Sequence, residues 1–498
     1  LLLAFVTRPC STLRYTDFHW DQARDAERVM GMWQGNLPTL GPETSNQQFR
    51  IPPLYYYLLF PSSTLGANPV FLALTNAVLS FGSVIIFMYL IYSLLQSVEP
   101  DKRLLLTSIA GLWWSVSIVD IQLNNRSWNP SLVPFFLMAF LLLYAVLLQR
   151  NRPIVLSLLA WLGYGACAAI LVSLHGSTLI VTPIFFFASI AYYIFTRRTT
   201  PKIALLPLAA VASFFGCLTP YWSGELARHW ANTQSIAAAM HSHMGMGLLP
   251  LANNVRNAYF GLRTEMYFPD FTLPSAVRDG ASNLALRIMG LLFLTVAPVL
   301  GFAVFRGNRV LIGVLAAYWL IYMVAAANLP ISYLHYKLPI VLAPIILAIA
   351  SLAYLNYATV AGRLAALFLG TCLLISILMN VRDDYAYLHA KFGKHRLLTS
   401  DDLVTAMNVI PPNATMCGPE RQLHLRALEY IDLFIEHKHI RFDHTCRTGN
   451  YIVHPRYIFE IAPSLTSAIN DDLNVVDYHG IRGSTTVLET DTFVVERR

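Results

Sequence analysis

The stretch "YTDFHWDQARDAERVMGMWQGNLPTLGPETS", residues 15–45, is polar, yet long apolar runs dominate the chain that follows it. The chain has 498 residues, of which 56% are hydrophobic and 13% charged, and its mean hydropathy is +0.51. Soluble proteins carry roughly 25% charged residues, so this composition indicates a membrane protein. We therefore expect residues 15–45 to lie outside the bilayer.

Apolar runs long enough to cross a hydrocarbon core of about 30 Å recur along the chain. The opening "LLLAFVTRP" is shorter, and we interpret it as the outer end of a first helix. Counting it, the sequence predicts a polytopic α-helical membrane protein with about eleven transmembrane helices. The ten longer runs cover residues 66–96, 104–121, 130–148, 154–174, 178–195, 203–222, 285–305, 309–327, 336–357 and 363–380.

Basic residues in the short connections predict the orientation. If the first helix runs outward, the basic connections share one side, which is then the cytoplasm. The net charge of +7 is explained by these connections, so we expect no nucleic-acid partner. The basic connections are residues 99–103, 149–153, 197–202 and 305–309, and Arg363.

Two domains are predicted. Residues 1–381 form the transmembrane domain, with extracytoplasmic loops at 8–65 and 223–284. Residues 382–498 have ordinary polarity, with the helical-looking "GPERQLHLRALEYIDLFIEHKHI" and the β-rich "STTVLETDTFVVERR", which predict a small soluble α/β domain. Cys417 and Cys446 lie in it, and both a disulfide between them and two free thiols are compatible with the sequence.

Two carboxylates mark the polar stretch as a candidate catalytic segment. Asp21 and Asp25 are four residues apart, so a helix places them on one face, with Arg24 and Arg28 beside them. Carboxylates held by arginines at a membrane surface are suited to act as an oriented base. The alternative is an interfacial amphipathic helix whose acids only pair with the two arginines.

Cations on the predicted outer side form a second candidate group. Arg126, in "NNRSWNPS", departs from the positive-inside pattern, and His335 and Lys337 precede an apolar run on the same side. Together they predict a site for a phosphate at the outer leaflet. The alternatives are an ion pair between Asp120 and Arg126, and a lysine that only reaches the interface.

Weaker substrate-binding candidates lie in the same outer segments. Tyrosines before a membrane entry are typical of the interfacial belt, and two histidines two residues apart are weak evidence for a metal. An acid at membrane depth usually has a partner or a role. These candidates are Asp120, Tyr55, Tyr56, Arg256, Arg263, His241 and His243.

The sequence contains no Walker A motif, no G-x-G-x-x-G opening a βαβ unit, no G-x-S-x-G and no H-E-x-x-H. Walker A and G-x-G-x-x-G are the nucleotide-binding motifs of this set, so the sequence shows no motif that holds a soluble nucleotide. If the protein transfers a group, its activated donor is expected to arrive through the membrane.

The acidic first outer loop, the Pro-Leu-Tyr-Tyr-Tyr membrane entry, the "SWNPS" turn and the outer C-terminal domain resemble the GT-C membrane glycosyltransferases. The resemblance is strongest to relatives of protein O-mannosyltransferases and the lipid A aminoarabinose transferase. It covers the topology of the whole chain, and its motifs lie in residues 15–60 and 120–135. Gln22 stands where the family commonly has Glu, which leaves open whether Asp25 replaces that acid and weakens a role for a divalent metal.

The resemblance implies a polyprenyl-phosphate sugar donor and transfer of a hexose or pentose, with inversion, to a hydroxyl of a lipid, glycan or protein acceptor. Asp21 or Asp25 would be the general base. Arg126 and Lys337, with His335 and the loop residues Arg256 and Arg263, would stabilise the leaving phosphate. The resemblance also implies a bacterial inner membrane, with the site and the C-terminal domain on the periplasmic side. The resemblance specifies no cofactor, and a divalent metal is left open.

Two other classes of protein also have many membrane spans or a polar C-terminal domain. A transporter or flippase of a lipid-linked or anionic substrate would bind near the bilayer midplane and would show internal repeats, whereas the polar residues here gather at one face. A scaffold would use the C-terminal domain to bind a partner, but the number of predicted spans exceeds what an anchor needs. The glycosyltransferase interpretation fits the sequence best.

Overall fold

The computed structural model describes residues 1–14, 16–18, 20–44, 49–149, 153–197, 206–243, 280–305, 307, 309–326, 334–392, 399–417, 425–443, 451–455, 485–490 and 493–497. Side chains are described in these ranges except at 119, 122, 197, 239–243, 280–287, 323–326, 334–341, 383, 385–392, 425, 454–455, 489 and 496.

Helices dominate the described residues, and each of the ten predicted apolar runs overlaps one or more of them. Short turns of π-helical or 3-10 geometry join several helices, at Val6–Cys10, Met32–Gln34, Phe60–Leu65, Asn129–Leu132 and Asp432–Glu436. The helices are α1 Leu2–Phe5, α2 Ser11–Arg14, α3 Trp20–Gly31, α4 Leu54–Leu59, α5 Pro69–Leu94, α6 Pro100–Ser115, α7 Ile118–Asn124, α8 Val133–Leu147, α9 Ile154–Leu174, α10 Gly176–Arg197, α11 Pro207–Cys217, α12 Thr219–Ala227, α13 Ala231–His243, α14 Gly280–Val304, α15 Arg309–Ala326, α16 Leu334–Tyr354, α17 Val360–Phe392, α18 Ser400–Asn408 and α19 Leu425–Ile431.

Within the described part of the chain, five helical segments are long and apolar enough to cross a membrane, and four apolar helices are shorter. The chain is therefore a multi-pass helical membrane protein, as predicted, while the total of about eleven crossings stays a prediction. The five are Pro69–Leu94, Asn129–Leu147, Ile154–Leu174, Gly176–Thr196 and Val360–Arg382.

Small residues let the apolar helices pack closely, as is usual where no water drives their association. A Cβ on Gly165 would collide with the backbone carbonyl of Ala210, so glycine is required where α9 crosses α11. Aromatic rings fill the space beside this crossing. Phe140 and Tyr164 stack with their centroids 4.3 Å apart, and Phe186 stacks on Phe214 at 5.1 Å.

A buried ion pair joins the first helical segment to the bundle. The side chains of Arg8 and Asp120 are 0% and 1% exposed, and their nitrogen and oxygen atoms lie 2.9 Å apart. Ser80 donates to the same carboxylate at 2.5 Å, and Arg8 also donates to the backbone carbonyls of Ser115 and Trp114. Because the charged groups are paired and bonded, they can lie inside an apolar bundle.

The C-terminal region contains a five-stranded sheet in the order β2-β1-β3-β5-β4. β1 pairs in parallel with β2 and β3, while β3, β5 and β4 are antiparallel. Cys417 at the end of β1 forms a disulfide, and Cys446, the partner considered from the sequence, lies outside the described residues. The small α/β domain is thus confirmed, while its predicted boundaries stay predictions. The strands are β1 Thr415–Cys417, β2 Arg441–Asp443, β3 Tyr451–Pro455, β4 Thr485–Glu489 and β5 Phe493–Arg497.

Candidate functional site

The candidate site is built on α3, the helix predicted within the polar stretch. Ala23, Ala26 and Val29 of this helix are buried and provide its apolar face. The helical path ends at Gly35, whose φ of +84° lies in the left-handed region that glycine favours. Asp21 and Asp25 share a face of α3, in agreement with their spacing of one helical turn.

Arg24 bridges the two carboxylates. Its guanidinium lies 3.0 Å from Asp21 Oδ1 and 2.9 Å from Asp25 Oδ1. The side chain of Asp21 is 46% exposed, whereas that of Asp25 is 0% exposed. One arginine therefore connects an accessible carboxylate to an inaccessible one.

Asp25 is held in an environment that disfavours its charge. Burial raises its pKa to about 6, although Arg24 opposes the shift. Tyr56 Oη donates to Oδ1 at 3.2 Å, while Oδ2 is buried without a hydrogen-bond partner among the described residues. Desolvation and proximity to Asp25 also raise the pKa of the Tyr56 hydroxyl, so this group stays protonated and remains a donor.

Beside this face of α3 lies a polar cavity of about 440 Å³. It opens at the end of the membrane bundle where α9 turns into α10 and where the turn after α7 precedes α8. Asp21 lines it, and Asp25 does not. The lining residues are Trp20, Asp21, Arg24, Arg28, Gly41, Glu43, Thr44, Arg50, Ile51, Tyr56, Trp128, Asn129, Pro130, His175, Gly176 and Arg426.

One wall of the cavity is an antiparallel turn in which Glu43 and Arg50 face each other and form an ion pair. A Cβ on Gly41 would collide with the carbonyl oxygens of Ile51 and Pro52, so glycine is needed where the two arms meet. Asn232 of α13 fastens this wall, because it accepts from the Arg50 amide at 2.7 Å and donates to the Arg50 carbonyl at 2.9 Å.

The cavity arginines differ in what neutralises them. Arg24 and Arg50 are paired as described, and Arg426 lies 3.0 Å from Glu27. Arg28 is exposed and forms no ion pair with a carboxylate of the described residues. It is therefore the lining cation best placed to bind an anion.

Arg126 is a second cation without a described carboxylate partner, and it contacts a residue of the cavity lining without being part of that lining. Its guanidinium lies over the ring of Trp128, 4.9 Å from the centroid, and Trp128 lines the cavity. Its Nε is buried without a hydrogen-bond acceptor among the described residues. A guanidinium stacked on an aromatic ring keeps its edge free to bind an oxyanion.

His175 adds no positive charge to the cavity. Burial lowers its pKa to about 3, so the ring is neutral at pH 7. Its Nδ1 accepts from the Ser177 amide at 3.2 Å, which places the proton of the neutral ring on Nε2. Asn129 donates to the carbonyl of Leu174, the residue before the histidine, and so joins the two turns that line the cavity.

The structure separates the sequence-based candidates into groups. Asp21 and Tyr56 line the cavity, Asp25 lies behind it, and Arg126 contacts the lining residue Trp128. Tyr55 is fully buried beneath them. Asp120 pairs with Arg8 rather than with Arg126, so it belongs to the packing of the bundle.

The remaining candidates lie where the structure gives no side chains. His335 and Lys337 are on α16 and His241 and His243 are on α13, in all four cases without described side chains, and Arg256 and Arg263 fall outside the described residues. In the described part, no group of three or more His, Cys, Asp or Glu residues is arranged to hold a metal.

Sequence reasoning missed Glu43, Arg50, His175 and Arg426 as cavity residues. The sequence contains a signal for Arg50 as a candidate site residue, because it is a cation directly before a membrane entry on the predicted outer side. Arg426 carried no such signal, because it lies within an ordinary amphipathic pattern nearly 400 residues from Glu27, its partner.

No protein-family model matches the chain, and no curated protein matches it. Among solved structures, the fold is similar to that of ArnT from Cupriavidus metallidurans bound to undecaprenyl phosphate, with a TM-score of 0.53 and 10% sequence identity over 99% of this chain and 96% of that one. The apo state of the same ArnT gives the same TM-score and identity and is covered to 95%. ArnT is the lipid A aminoarabinose transferase of the GT-C class, so the predicted resemblance in fold is confirmed.

Proposed function

We propose that this chain is a glycosyltransferase that takes a sugar from a polyprenyl-phosphate donor and transfers it, with inversion, to an acceptor hydroxyl at the extracytoplasmic membrane face. One observation carries the proposal: the cavity brings an accessible carboxylate, Asp21, together with a cation, Arg28, that no described carboxylate neutralises. A base and a phosphate-binding group are the two functions that the reaction requires. The similarity in fold to ArnT bound to undecaprenyl phosphate supports the same donor class.

Asp21 is the general base of this proposal, because it is the carboxylate that a substrate can reach. Asp25 is fully buried and does not line the cavity. In this proposal it is a positioning residue, since it holds Arg24 through two nitrogen atoms and accepts from Tyr56. Arg24 in turn holds Asp21 in place through their ion pair.

The reaction is a single displacement. The acceptor oxygen forms a bond to the anomeric carbon as the bond from that carbon to the phosphate oxygen breaks, and the hydroxyl proton passes to Asp21. Polyprenyl phosphate leaves with both electrons of the broken bond. Attack from the face opposite the leaving group inverts the anomeric centre.

The developing charge on the phosphate needs donors placed before the reaction begins. Arg28 and Arg126 are suited to this because neither has a described carboxylate partner. In this proposal Lys337, His335, Arg256 and Arg263 join them from the segments whose side chains are not described. The transferred hexose or pentose then lies between these cations and Asp21.

The proposal is tested by mass spectrometry of polyprenyl-phosphate sugars in membranes that contain the intact protein, Asp21→Asn, Asp101→Asn or no protein. Asp101 is a matched control, because it is an exposed aspartate near the start of α6 and outside the cavity. We expect one lipid-linked sugar to be consumed by the intact protein and by Asp101→Asn, and to accumulate in the other two membranes.

Two results would overturn the proposal. In the first, no lipid-linked sugar responds to the protein. In the second, a substrate crosses proteoliposome membranes without covalent change, as a transporter or flippase would require. Deletion of residues 385–498 addresses the scaffold alternative, which predicts that partner binding is lost and that no lipid-linked sugar responds to the intact protein.

A further inference from the structure

The C-terminal domain docks directly on the segment that carries the candidate base. Phe18, just before α3, packs edge-on against Tyr430 of α19, with ring centroids 5.3 Å apart. The Tyr430 hydroxyl donates to the carbonyl of Ala67 at 2.6 Å. The amide of Ser400, the first residue of α18, donates to the carbonyl of Thr16 at 3.0 Å. These contacts fix α19 against α3.

Arg426 of α19 reaches from this interface to the cavity. Its guanidinium lies over the ring of Trp20, 5.0 Å from the centroid, and Nη2 lies 3.0 Å from Glu27 Oε2. The side chains of Arg426 and Glu27 are 24% and 28% exposed. Arg426 is the cavity residue that the C-terminal domain supplies within the described part of the chain.

The charge of Arg426 is only partly satisfied by this pairing. A guanidinium has five N–H donors, and one of its nitrogens is hydrogen-bonded to Glu27. None of the others is buried without a partner, and Arg426 lines the cavity, so an oxyanion bound there can reach them. The stack on Trp20 fixes the plane of the group, which lowers the entropy lost when it binds an oxyanion.

We propose that Arg426 is a further binding residue for the phosphate group of the donor, so that the C-terminal domain completes the donor site. The inference rests on the proposed function, because that function places a phosphate in the cavity. An incoming phosphate competes with Glu27 for the guanidinium. Glu27 therefore weakens donor binding while it holds Arg426 in place, and the two residues have opposite effects.

Because substitutions of Arg426 and Glu27 are expected to change donor affinity in opposite directions, the direction of each change tests the proposal. The probe is undecaprenyl phosphate, and its dissociation constant is measured with the full-length detergent-solubilised protein by native mass spectrometry. We expect Arg426→Gln to weaken binding about tenfold, the loss of one hydrogen bond to a charged group. Arg426→Lys, which keeps the charge without the planar fork, should restore part of the affinity. Glu27→Gln should tighten binding, because it removes the competing carboxylate.

A purely structural tie between the domains predicts a different pattern. In that case Glu27→Gln and Arg426→Gln both break the tie, and both weaken binding alike, which would overturn the inference. Arg441→Gln is the matched control, since Arg441 is an exposed arginine of β2 in the same domain, and the change in net charge is identical. Its affinity should equal that of the intact protein.

The outcomes also separate this inference from the proposed function. If the intact protein does not bind undecaprenyl phosphate, the proposed function and the inference both fail. If it binds and Arg426→Gln binds equally well, only the inference fails. Thermal unfolding of each variant confirms that a loss of affinity is measured on folded protein.

Discussion

Two arginine–carboxylate groups, one inside the membrane bundle and one on α3, differ in their exposure and in how completely their oxygen atoms are hydrogen-bonded. In the bundle, Arg8 and Asp120 are both buried, and each carboxylate oxygen of Asp120 accepts a hydrogen bond. On α3, Arg24 joins the exposed Asp21 to Asp25, which has one oxygen buried without a partner. The first group is completely satisfied and suited to structure. The second is incompletely satisfied, a state that costs stability and that is common in functional sites.

The largest expected effect distinguishes the two carboxylates of α3. Asp21→Asn should lower the rate of sugar transfer about 10²–10⁴-fold, because the general base is lost. Asp25→Asn should lower it much less, since Arg24 can still pair with Asp21. The measurement is the initial rate at saturating donor, with Asp101→Asn as control. Equal losses in the two variants would contradict the division into base and positioning residue.

Breaking the bundle pair should be the largest effect on stability. Arg8→Met leaves Asp120 charged and unpaired in an apolar bundle, and we expect it to lower the free energy of unfolding by about 3–5 kcal/mol. Arg8→Met combined with Asp120→Leu should recover a large part of this loss. Thermal unfolding in detergent measures both. A double variant as unstable as the single one would show that the uncompensated charge is not the cause.

The pH dependence of Asp25 should be the next largest effect. Its pKa of about 6 in the folded protein exceeds the ordinary value of about 3.9, so the folded state binds more protons than the unfolded state between these values. This group's contribution to the free energy of unfolding therefore falls as the pH rises from about 4 to 6, by up to about 3 kcal/mol.

The side chain introduced by Asp25→Asn does not titrate. The variant should therefore lack this pH-dependent contribution to the free energy of unfolding. Relative to the intact protein, the variant should therefore be more stable at pH 7.5 than at pH 4.5, and thermal unfolding at both pH values measures the difference. Other titrating groups cancel in this comparison. A difference that does not change with pH would contradict the raised pKa.

The smallest expected effect is the difference between two cavity arginines in their contribution to donor affinity. Arg28→Gln should weaken binding of undecaprenyl phosphate about tenfold, because an unneutralised guanidinium is lost. Arg50→Gln should weaken it less, since Arg50 is already paired with Glu43. Titrations at two salt concentrations measure both constants, and the difference should shrink at high salt. The reverse ranking would show that carboxylate pairing does not decide which cation binds the donor.

Local chemistry explains what the sequence alone could predict. Apolar runs predict spanning helices because the bilayer requires an apolar length, and segments rich in β-branched residues predict β4 and β5. The shared face of Asp21 and Asp25 follows from helical geometry. Each of these predictions depends on residues that are neighbours in the sequence.

The missed features depend on residues that are far apart in the sequence. Asp120 is 112 residues from Arg8, so its partner was sought in the nearby Arg126. Arg50 depends on Asn232 for its position, 182 residues away. Hydrophobic patterns specify which face of an element is buried, but not which element packs against it. The sequence alone therefore could not predict which cations of the cavity are paired with carboxylates.

The contact between Glu27 and Arg426 spans 399 residues of sequence, so the two residues leave the ribosome at well-separated times. At roughly 5–20 residues per second, the chain needs roughly 20–80 s after making α3 before it makes α19. Throughout this interval the helices that precede α19 can insert and pack while Arg426 is absent from the cavity lining. A ribosome that stops early thus releases an inserted protein with an open cavity, and the site becomes complete only with a full-length chain.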